Sequence, residues 1–414
     1  MNTISMKLNI PNLRHLHALL CVVQLKSVTQ AAETVYLSQS AVTQAIKNIE
    51  VYLDTVLFER QSKAVFPTSA AYIYAKRIER CFKFILVGIQ KALETPVDEH
   101  QFVHNLNNHK LVYSLTSIQL RALLAVGYTH NYTYAAKLLA TSQPSVHRAI
   151  KDLEQLTTIT LVEKNRQAIE LTEAGDVLFR YFNLAVNELY QSNLDIKALQ
   201  NDFAGKISIG SMPLSRNKLL PQAIIKFKKR YPNINIDIID APYPTLSHAL
   251  QYGKLDFLLG ALRDTALETS LSEIPLFDAK LYIVARSNHR LINQNSLTLQ
   301  DLLAYPWVLP SPSTPTRQRF DTMLTQQGLA SPTGLVESSS QILIRGLLLE
   351  GDFLTLTSHQ QVQFEIEQGL LCLIDFDIGD TPRSIGITHR TDWQPSSIHQ
   401  AFFEQLHLHA HTIQ

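Results

Sequence analysis

The sequence AAETVYLSQSAVTQAIKNIE (residues 31–50) recurs in altered form as AAKLLATSQPSVHRAIKDLE (residues 135–154). The two stretches align without a gap. In each, a short helical pattern ends in a polar turn, and a Ser-Gln pair then begins a second helical pattern. Two helices joined by a tight turn form a helix-turn-helix, so the chain is predicted to contain this motif twice.

The second helix of each motif has an apolar and a polar face. Val42, Ile46 and Ile49 recur at helical spacing and are predicted to be buried, and the second copy repeats this pattern. Ser38 and Ser142 stand where helix N-caps belong. The polar faces carry donors and acceptors that suit base edges in a major groove. The predicted DNA contacts of the two helices are Ser38, Gln39, Thr43, Gln44, Lys47, Ser142, Gln143, Pro144, His147, Arg148 and Lys151.

Each motif is followed by two short extended pieces around a polar tip, which is the pattern of a wing. In the first copy Arg60 and Lys63 flank the tip and are predicted to contact phosphates or the minor groove. In the second copy the tip is residues 165–167, and Lys164 and Arg166 are the equivalent candidates. The alternative interpretation is that these cations are solvated surface only.

Length and composition describe an ordinary globular protein with several domains. The chain has 414 residues, 45% hydrophobic and 18% charged, with a net charge of +1. Charge alone therefore does not argue for nucleic acid, and the motif carries that argument. The beginning of the chain lacks a signal-peptide pattern, and no apolar run reaches membrane-spanning length, so we expect a cytoplasmic location without a membrane partner. Cys21, Cys81 and Cys372 are widely separated and are expected to be free thiols.

The order of these features resembles the LysR-type transcriptional regulators. A supporting helix, the Ala-Ala and Ser-Gln pairs, an Ile-Lys-x-x-Glu run, a wing and a long helix follow one another as in that family. Copy one departs at Ser40, where the family usually has Pro, and at Ala71, where it has Gly. Asp54 and Thr158 replace a Gly after the second helix, and Asp tolerates a left-handed helix end better than most residues. Copy two keeps Gly175 at the wing exit.

The resemblance implies dimerisation through the long helix, of which this chain has two. Helical patterns run from Ser69 to about Leu93 and from about Ala174 to Leu199. One hypothesis is that these helices pair within one chain. The competing hypothesis is that one of the two copies is a degenerate packing module that does not bind DNA.

The chain after Gly205 changes to strands that alternate with helices, which indicates a largely parallel sheet with ligands near the strand ends. This order resembles the LysR effector domain, which is similar to a two-lobed type 2 periplasmic binding protein. The predicted fold class is therefore α+β multidomain: two winged helix-turn-helix domains with long linker helices, followed by an α/β two-lobed domain. The predicted domains are 1–71, 72–112, 113–176, 177–204 and 205–414, the last with lobes of about 205–261 plus 366–414, and 262–365.

The effector site is expected where backbone N–H groups and hydroxyls follow predicted strand ends. The candidates are Ser211, Pro213, Ser215, Tyr243, Thr245, Arg263, Ser311, Thr314, Ser338 and Ser339. Several are expected to be helix caps or turn residues instead. Arg263 suits a carboxylate or a structural salt bridge. The effector half resembles the branch that contains the galactose-binding-protein regulator, which implies a sugar, a sugar acid or an aromatic acid.

The combined pattern predicts a ligand-responsive DNA-binding regulator. Its expected partners are double-stranded operator DNA, a small-molecule effector, RNA polymerase and further copies of the chain. We expect no catalytic residues, metal or cofactor, because no nucleophile–base arrangement, phosphate-binding glycine loop or metal-ligand spacing is present. The alternative is a cytoplasmic small-molecule-binding or scaffold protein whose helix-turn-helix copies contact proteins rather than DNA.

Overall fold

The computed structural model describes residues 8–61, 64–93, 114–165, 168–263, 270–294, 296–379 and 383–411, without the side chains of residues 60, 61 and 64. The chain divides into two compact units. Unit 1 contains the residues up to Gly205 together with Gln251–Lys254 and Pro395–Ile398. Unit 2 contains the rest. The linker expected between residues 94 and 110 lies outside the described residues.

Unit 1 contains two winged helix-turn-helix domains of the same design. Each has a supporting helix, the two helices of the motif, a two-stranded antiparallel wing and a long linker helix. The first copy contains α1 (Leu13–Leu25), α2 (Val28–Thr34), α3 (Gln39–Leu53), β1 (Phe58–Gln61), β2 (Ala64–Pro67) and α4 (Ser69–Ala92). The second copy contains α5 (Ser117–Thr129), α6 (Tyr132–Leu138), α7 (Gln143–Thr157), β3 (Val162–Asn165), β4 (Ala168–Leu171) and α8 (Glu173–Leu199).

The helix boundaries follow from local sequence. Ser38 and Ser142 cap α3 and α7 as predicted, each accepting a backbone N–H three residues further on. Asp54 and Thr158 end these helices in the left-handed conformation, with φ of 50° and 58°. The duplicated motif is therefore confirmed in both copies. Thr68 and Thr172 cap the linker helices in the same way.

The linker helices α4 and α8 pack against each other within unit 1. Their facing residues belong to one hydrophobic core, which also contains the apolar faces of both helix-turn-helix motifs. Phe82 on α4 and Phe182 on α8 are completely or almost completely buried in it. The hypothesis of pairing within one chain therefore agrees with the packing of the two helices.

Unit 2 contains two main sheets with helices around them. One sheet has the strand order β6-β5-β7-β14-β8, the other β12-β9-β13, and β10 pairs with β11. The strands are β5 (Gly205–Ser211), β6 (Ile234–Asp240), β7 (Phe257–Ala261), β8 (Leu271–Ala279), β9 (Leu281–Arg286), β10 (Val308–Leu309), β11 (Val336–Glu337), β12 (Thr355–Ser358), β13 (Leu371–Leu373) and β14 (Arg383–Arg390). The helices are α9 (Pro213–Arg216), α10 (Leu219–Arg230), α11 (Tyr243–Gln251), α12 (Leu299–Leu303), α13 (Pro315–Gln326), α14 (Gln341–Glu350), α15 (His359–Glu367) and α16 (Ser397–Ala410), with a 3₁₀ turn at Arg290–Asn293.

The strand directions differ from the expectation of a largely parallel sheet. β5 and β7 are parallel, but β14 runs antiparallel to β7 and to β8. β9 is antiparallel to both its neighbours. Strand pairing also places β8 in the first sheet and β13 in the second, which differs from the expected lobe segments. β8 joins the first sheet through β14, which lies between β7 and β8, and β13 pairs with the earlier strand β9.

None of the helices in the described parts of the chain is both long enough and apolar enough to cross a membrane.

Candidate nucleic-acid interface

The recognition helix of copy one presents its predicted contacts to solvent. Ser38, Gln39, Gln44 and Lys47 are exposed, and Thr43 is half-buried. The side chains are held by local bonds, since Thr43 Oγ1 donates to the carbonyl of Gln39 at 2.9 Å. Gln44 Nε2 donates to a neighbouring asparagine on the same helix at 2.8 Å. Lys47 is exposed on the same face, and no described residue forms a hydrogen bond or an ion pair with its side chain.

The recognition helix of copy two carries more cationic and aromatic character. Its predicted contacts are all exposed: Ser142, Gln143, Pro144, His147, Arg148 and Lys151. The ring of His147 lies 5.2 Å from that of Tyr132, centroid to centroid. Lys151 forms a salt bridge with Glu154 at 2.7 Å, whereas no described residue bonds to Arg148. Arg148 is therefore unconstrained by its neighbours.

The first helix of each motif positions the first glutamine of the second. Gln39 Nε2 donates to Thr29 Oγ1 at 2.8 Å, and Thr133 Oγ1 donates to Gln143 Oε1 at 3.4 Å. Thr29 and Thr133 occupy equivalent positions. Sequence analysis missed both threonines, although their equivalence in the two copies was a signal for them.

A glutamate of each recognition helix holds the wing. Oε1 of Glu50 accepts the backbone N–H groups of Leu57 and Phe58 at 2.8 and 3.3 Å. Oε1 of Glu154 accepts those of Leu161 and Val162 at 2.9 and 3.3 Å. Burial would raise the pKa of Glu154, but the hydrogen bonds from Lys151 and from the backbone outweigh it, so this pKa is lowered. The family-like Ile-Lys-x-x-Glu run therefore fixes the angle between helix and wing.

A groove between the recognition helix and the wing of copy two has a volume of about 510 Å³. His147, Lys151, Lys164 and Tyr132 line it together with Gln143. Lys164 is exposed on β3. The side chains of Arg60, Lys63 and Arg166 lie outside the described residues.

The effector candidates of unit 2 form two small groups. Ser211 is completely buried and its hydroxyl lies 3.0 Å from that of Ser215, which donates to the carbonyl of Met212 at 2.8 Å. The guanidinium of Arg263 stacks 3.9 Å from the ring centre of Tyr243. Pro213 begins α9 between Ser211 and Ser215 in the sequence.

Other effector candidates have structural bonds of their own. Thr314 caps α13 by accepting the N–H of Arg317 at 3.3 Å, and Ser338 Oγ accepts the N–H of Ser340 at 3.1 Å. Ser311 Oγ lies 3.1 Å from a neighbouring serine hydroxyl. Thr245 and Ser339 are exposed. The expectation that some candidates serve as caps or turn residues agrees with these bonds.

Arg383, which sequence analysis missed, lies beside Arg263. Burial, and then the charge of Arg263, lowers the pKa of Arg383 to about 10. Its Nη1 donates to Thr316 Oγ1 at 2.7 Å, while its buried Nε has no partner among the described residues. The backbone N–H of Arg263 donates to Glu273 at 3.0 Å. The two guanidinium groups concentrate positive charge next to Tyr243. Elsewhere in the described parts of the chain, no cluster of three His, Cys, Asp or Glu side chains suits a metal ion.

Comparison with known families gives one result for each half of the chain. Residues 13–72 and 118–176 both match the bacterial regulatory helix-turn-helix protein of the lysR family, and residues 200–410 match the LysR substrate binding domain. The chain belongs to the LysR family of transcriptional regulators. It contains two domains that match the family's helix-turn-helix model and one that matches its substrate binding domain, so the predicted family, fold class and function, with DNA binding by one or both copies, are confirmed.

Individual LysR-type proteins match most of the chain. The regulator GalR of Pseudomonas putida is 31% identical over 383 residues, covering 92% of this chain and 93% of that protein. YdcI of Escherichia coli is 28% identical over 276 residues, covering 66% and 89%. A full-length OxyR variant of Pseudomonas aeruginosa has the same fold, with a TM-score of 0.54 and 21% identity over 70% of this chain and 97% of that one. LysR-type proteins are transcriptional regulators rather than enzymes, and they bind operator DNA and effectors and form oligomers.

Proposed function

We propose that both helix-turn-helix copies of this regulator bind operator DNA, each with its recognition helix in a major groove. The observation that carries this proposal is that both copies keep the same construction: a capped recognition helix with an exposed polar face, a positioned glutamine and a wing held by a glutamate. A solvent-exposed helix face is polar in any soluble protein, so the support comes from the positioned glutamine and the wing held by a glutamate, which both copies keep.

The two copies bind different half-sites, because their exposed side chains differ. In copy two, Arg148 bonds to O6 and N7 of guanine, while Lys151 and His147 contact phosphates. In copy one, Gln39 and Gln44 have amide groups that suit adenine, and Lys47 contacts phosphate. The wing cations Arg60, Lys63, Lys164 and Arg166 add backbone contacts, and Ser38, Thr43, Ser142 and Pro144 orient the helix ends on the DNA.

The C-terminal domain binds a small-molecule effector and transmits its presence to the operator. The predicted effectors are a sugar, a sugar acid or an aromatic acid, and the Arg263–Arg383 pair beside Tyr243 supports the two acids, since guanidinium groups bind carboxylates bidentately. Effector binding closes the lobes, changes DNA bending and so changes access of RNA polymerase. The protein acts in the cytoplasm as a homo-oligomer, without enzymatic activity, metal or cofactor.

The test is binding of the full-length protein to DNA from upstream of its own gene, at several defined salt concentrations. We would compare wild type with Gln39→Ala/Gln44→Ala and with Gln143→Ala/Arg148→Ala. Either pair is expected to reduce specific affinity by about tenfold to a hundredfold per lost base contact. Gln155→Ala, an exposed change near the other end of α7, is the matched control.

The outcomes separate the two hypotheses. If both pairs of substitutions abolish specific binding, both copies contact the operator. If only the copy-two pair has an effect, copy one is a packing or interaction module. If the wild-type protein protects no specific site in this DNA or in a genomic selection, the scaffold alternative is favoured instead.

A further inference from the structure

The linker helices are joined on one flank by buried charges. Arg77 on α4 is 5% exposed and lies between two carboxylates of α8. Its Nη1 donates to Oε2 of Glu188 at 2.9 Å, and its Nη2 donates to Oδ2 of Asp195 at 2.8 Å. Burial would lower the pKa of Arg77, but these two carboxylates raise it by more. The guanidinium is therefore charged and fully paired inside the interface.

Arg80 adds a second cation from the same helix. Its Nε and Nη2 donate to the two carboxylate oxygens of Glu188 at 3.0 and 3.1 Å, which is a bidentate pair. Glu188 is 4% exposed and thus receives both arginines in a site shielded from water. On this flank the cations belong to α4 and the anions to α8.

A second flank of the helix pair, about two turns further along the same face of α4, is aromatic, and Arg80 lies 5.7 Å from the ring centre of Phe84 there. The ring of Phe84 on α4 lies 6.5 Å from that of Tyr181 on α8. A Cβ added to Gly88 would lie 2.5 Å from Cβ of Tyr181, so the helices approach closely here. Lys91 Nζ lies 5.6 Å from the centre of the same ring. None of these contacts on the aromatic flank joins a cation of α4 to a carboxylate of α8.

The two flanks are equivalent in the alignment of the two copies. Arg77 is equivalent to Tyr181, and Glu188 is equivalent to Phe84. A pair made of two α4 helices in the same geometry would therefore bury each Arg77 against Phe84. A pair made of two α8 helices would bury each Glu188 against Tyr181. Both alternatives leave buried charges without partners, which is strongly unfavourable.

We propose that this charge complementarity makes α4 pair with an α8 rather than with the α4 of a second copy, and that the covalent connection makes this the α8 of the same chain, because it holds the two helices at a high effective concentration. One chain then supplies a complete pair of DNA-binding domains, and contacts between chains use other surfaces. An oligomer of this protein carries as many complete pairs as it has chains. The selection of α8 does not depend on DNA, whereas its consequence for the operator rests on the proposed function.

The first experiment traps the helix pair by chemical crosslinking in the full-length protein. The native cysteines Cys21, Cys81 and Cys372 are replaced by alanine, and Phe84→Cys/Tyr181→Cys is introduced on the aromatic flank. A short thiol-specific crosslinker is expected to give an intrachain link, which runs as a monomer on a denaturing gel and is located by peptide mapping. A protein that keeps Cys81 as its only cysteine is the control. In a pair of two α4 helices Cys81 lies midway between the two contacts of Arg77 with Phe84, so its two copies would meet, whereas the α4–α8 pair is expected to give no covalent dimer.

The second experiment exchanges the charges across the interface. In the same cysteine background, Arg77→Glu/Arg80→Glu or Glu188→Arg/Asp195→Arg is expected to lower the intrachain yield at least about tenfold, because each leaves like charges buried together. All four substitutions combined are expected to restore the yield to within about twofold, since the pairs are re-formed with the opposite polarity. A mixture of the two half-exchanged proteins, refolded together, is expected to give covalent heterodimers.

Several results would overturn the proposal. They are a covalent dimer as the main product of the double-cysteine protein, a covalent dimer of the protein that keeps only Cys81, or no recovery of the intrachain yield in the fourfold exchange. Specific DNA binding is measured separately on the crosslinked monomer. If the link forms within the chain but DNA binding is absent, the proposed DNA contacts fail and the selection of α8 stands.

Discussion

At the scale of single residues, the recognition helices of the two copies end at different residues. Both Asp54 and Thr158 adopt a positive φ, where glycine is favoured. Asp reaches this conformation at low cost, whereas a β-branched residue does so only under strain. Copy two therefore carries local strain that copy one avoids.

Thr158→Gly is expected to stabilise the protein by about 1 kcal/mol, because it removes the side chain that opposes a φ of 58°. Asp54→Gly is the matched control, with an expected change of a few tenths of a kcal/mol. Thermal unfolding followed by circular dichroism measures both. A Thr158→Gly protein that melts at or below the wild-type temperature contradicts the assignment of strain.

Glu154→Gln is expected to weaken the second wing by about 1–3 kcal/mol at neutral pH, since the charged acceptor of two backbone N–H groups is lost. The pKa of Glu154 is lower in the folded protein than its usual value of 4.5. Its contribution is therefore present above pH 4.5 and disappears as the pH falls through the lowered pKa.

The measurement for Glu154 is the urea midpoint of wild type and variant between pH 7 and pH 3. The difference between them should shrink with falling pH. Glu163→Gln, a change at an exposed position of β3, should show no such difference. A gap that stays constant over the whole pH range would show that Glu154 acts through shape rather than charge.

At the scale of elements, the close approach of α4 and α8 depends on one glycine. Gly88 has no room for a side chain, because Tyr181 occupies the space a Cβ would need. Gly88→Ala is therefore expected to destabilise unit 1 by about 1–3 kcal/mol through overpacking. Thermal unfolding checks this value.

Gly346→Ala is the control for Gly88→Ala. Gly346 also lies inside a helix, α14, but no atom lies within 4 Å of an added Cβ. Alanine there is expected to stabilise by up to about 1 kcal/mol, since glycine is a poor helix former. If both substitutions raise the melting temperature, the contact at Gly88 is not tight in solution.

At the scale of the whole molecule, two different recognition helices predict an operator with two different half-sites. An operator made symmetric by repeating either half-site is expected to bind more weakly, by about 1–3 kcal/mol for each base pair that no longer matches. Footprinting defines the natural site, and fluorescence anisotropy at fixed salt compares it with both symmetric versions. Equal affinity for all three DNAs would contradict separate specificities.

Sequence patterns predicted the local elements of this molecule but not the contacts between distant parts of the chain. The two helix-turn-helix motifs, their serine caps, the wings and the long helices were predictable, because periodicity, capping and turn chemistry act between residues a few positions apart. The antiparallel directions of β14 and β9 were not predictable, because each of these strands pairs with strands that are far away in the sequence. The same is true of the position of Arg383 beside Arg263, because Arg383 lies on β14 and Arg263 follows β7, with which β14 pairs.

The sequence by itself determined the family, the order of domains and the two exposed polar helix faces. Only the tertiary structure decided that α4 lies against α8, with Arg77 between Glu188 and Asp195. Arg77 is more than a hundred positions away from both carboxylates in the sequence, and the sequence alone does not distinguish any of the three from an ordinary surface charge. Their pairing becomes selective because packing removes water, and a buried charge without its partner is far more costly than an exposed one.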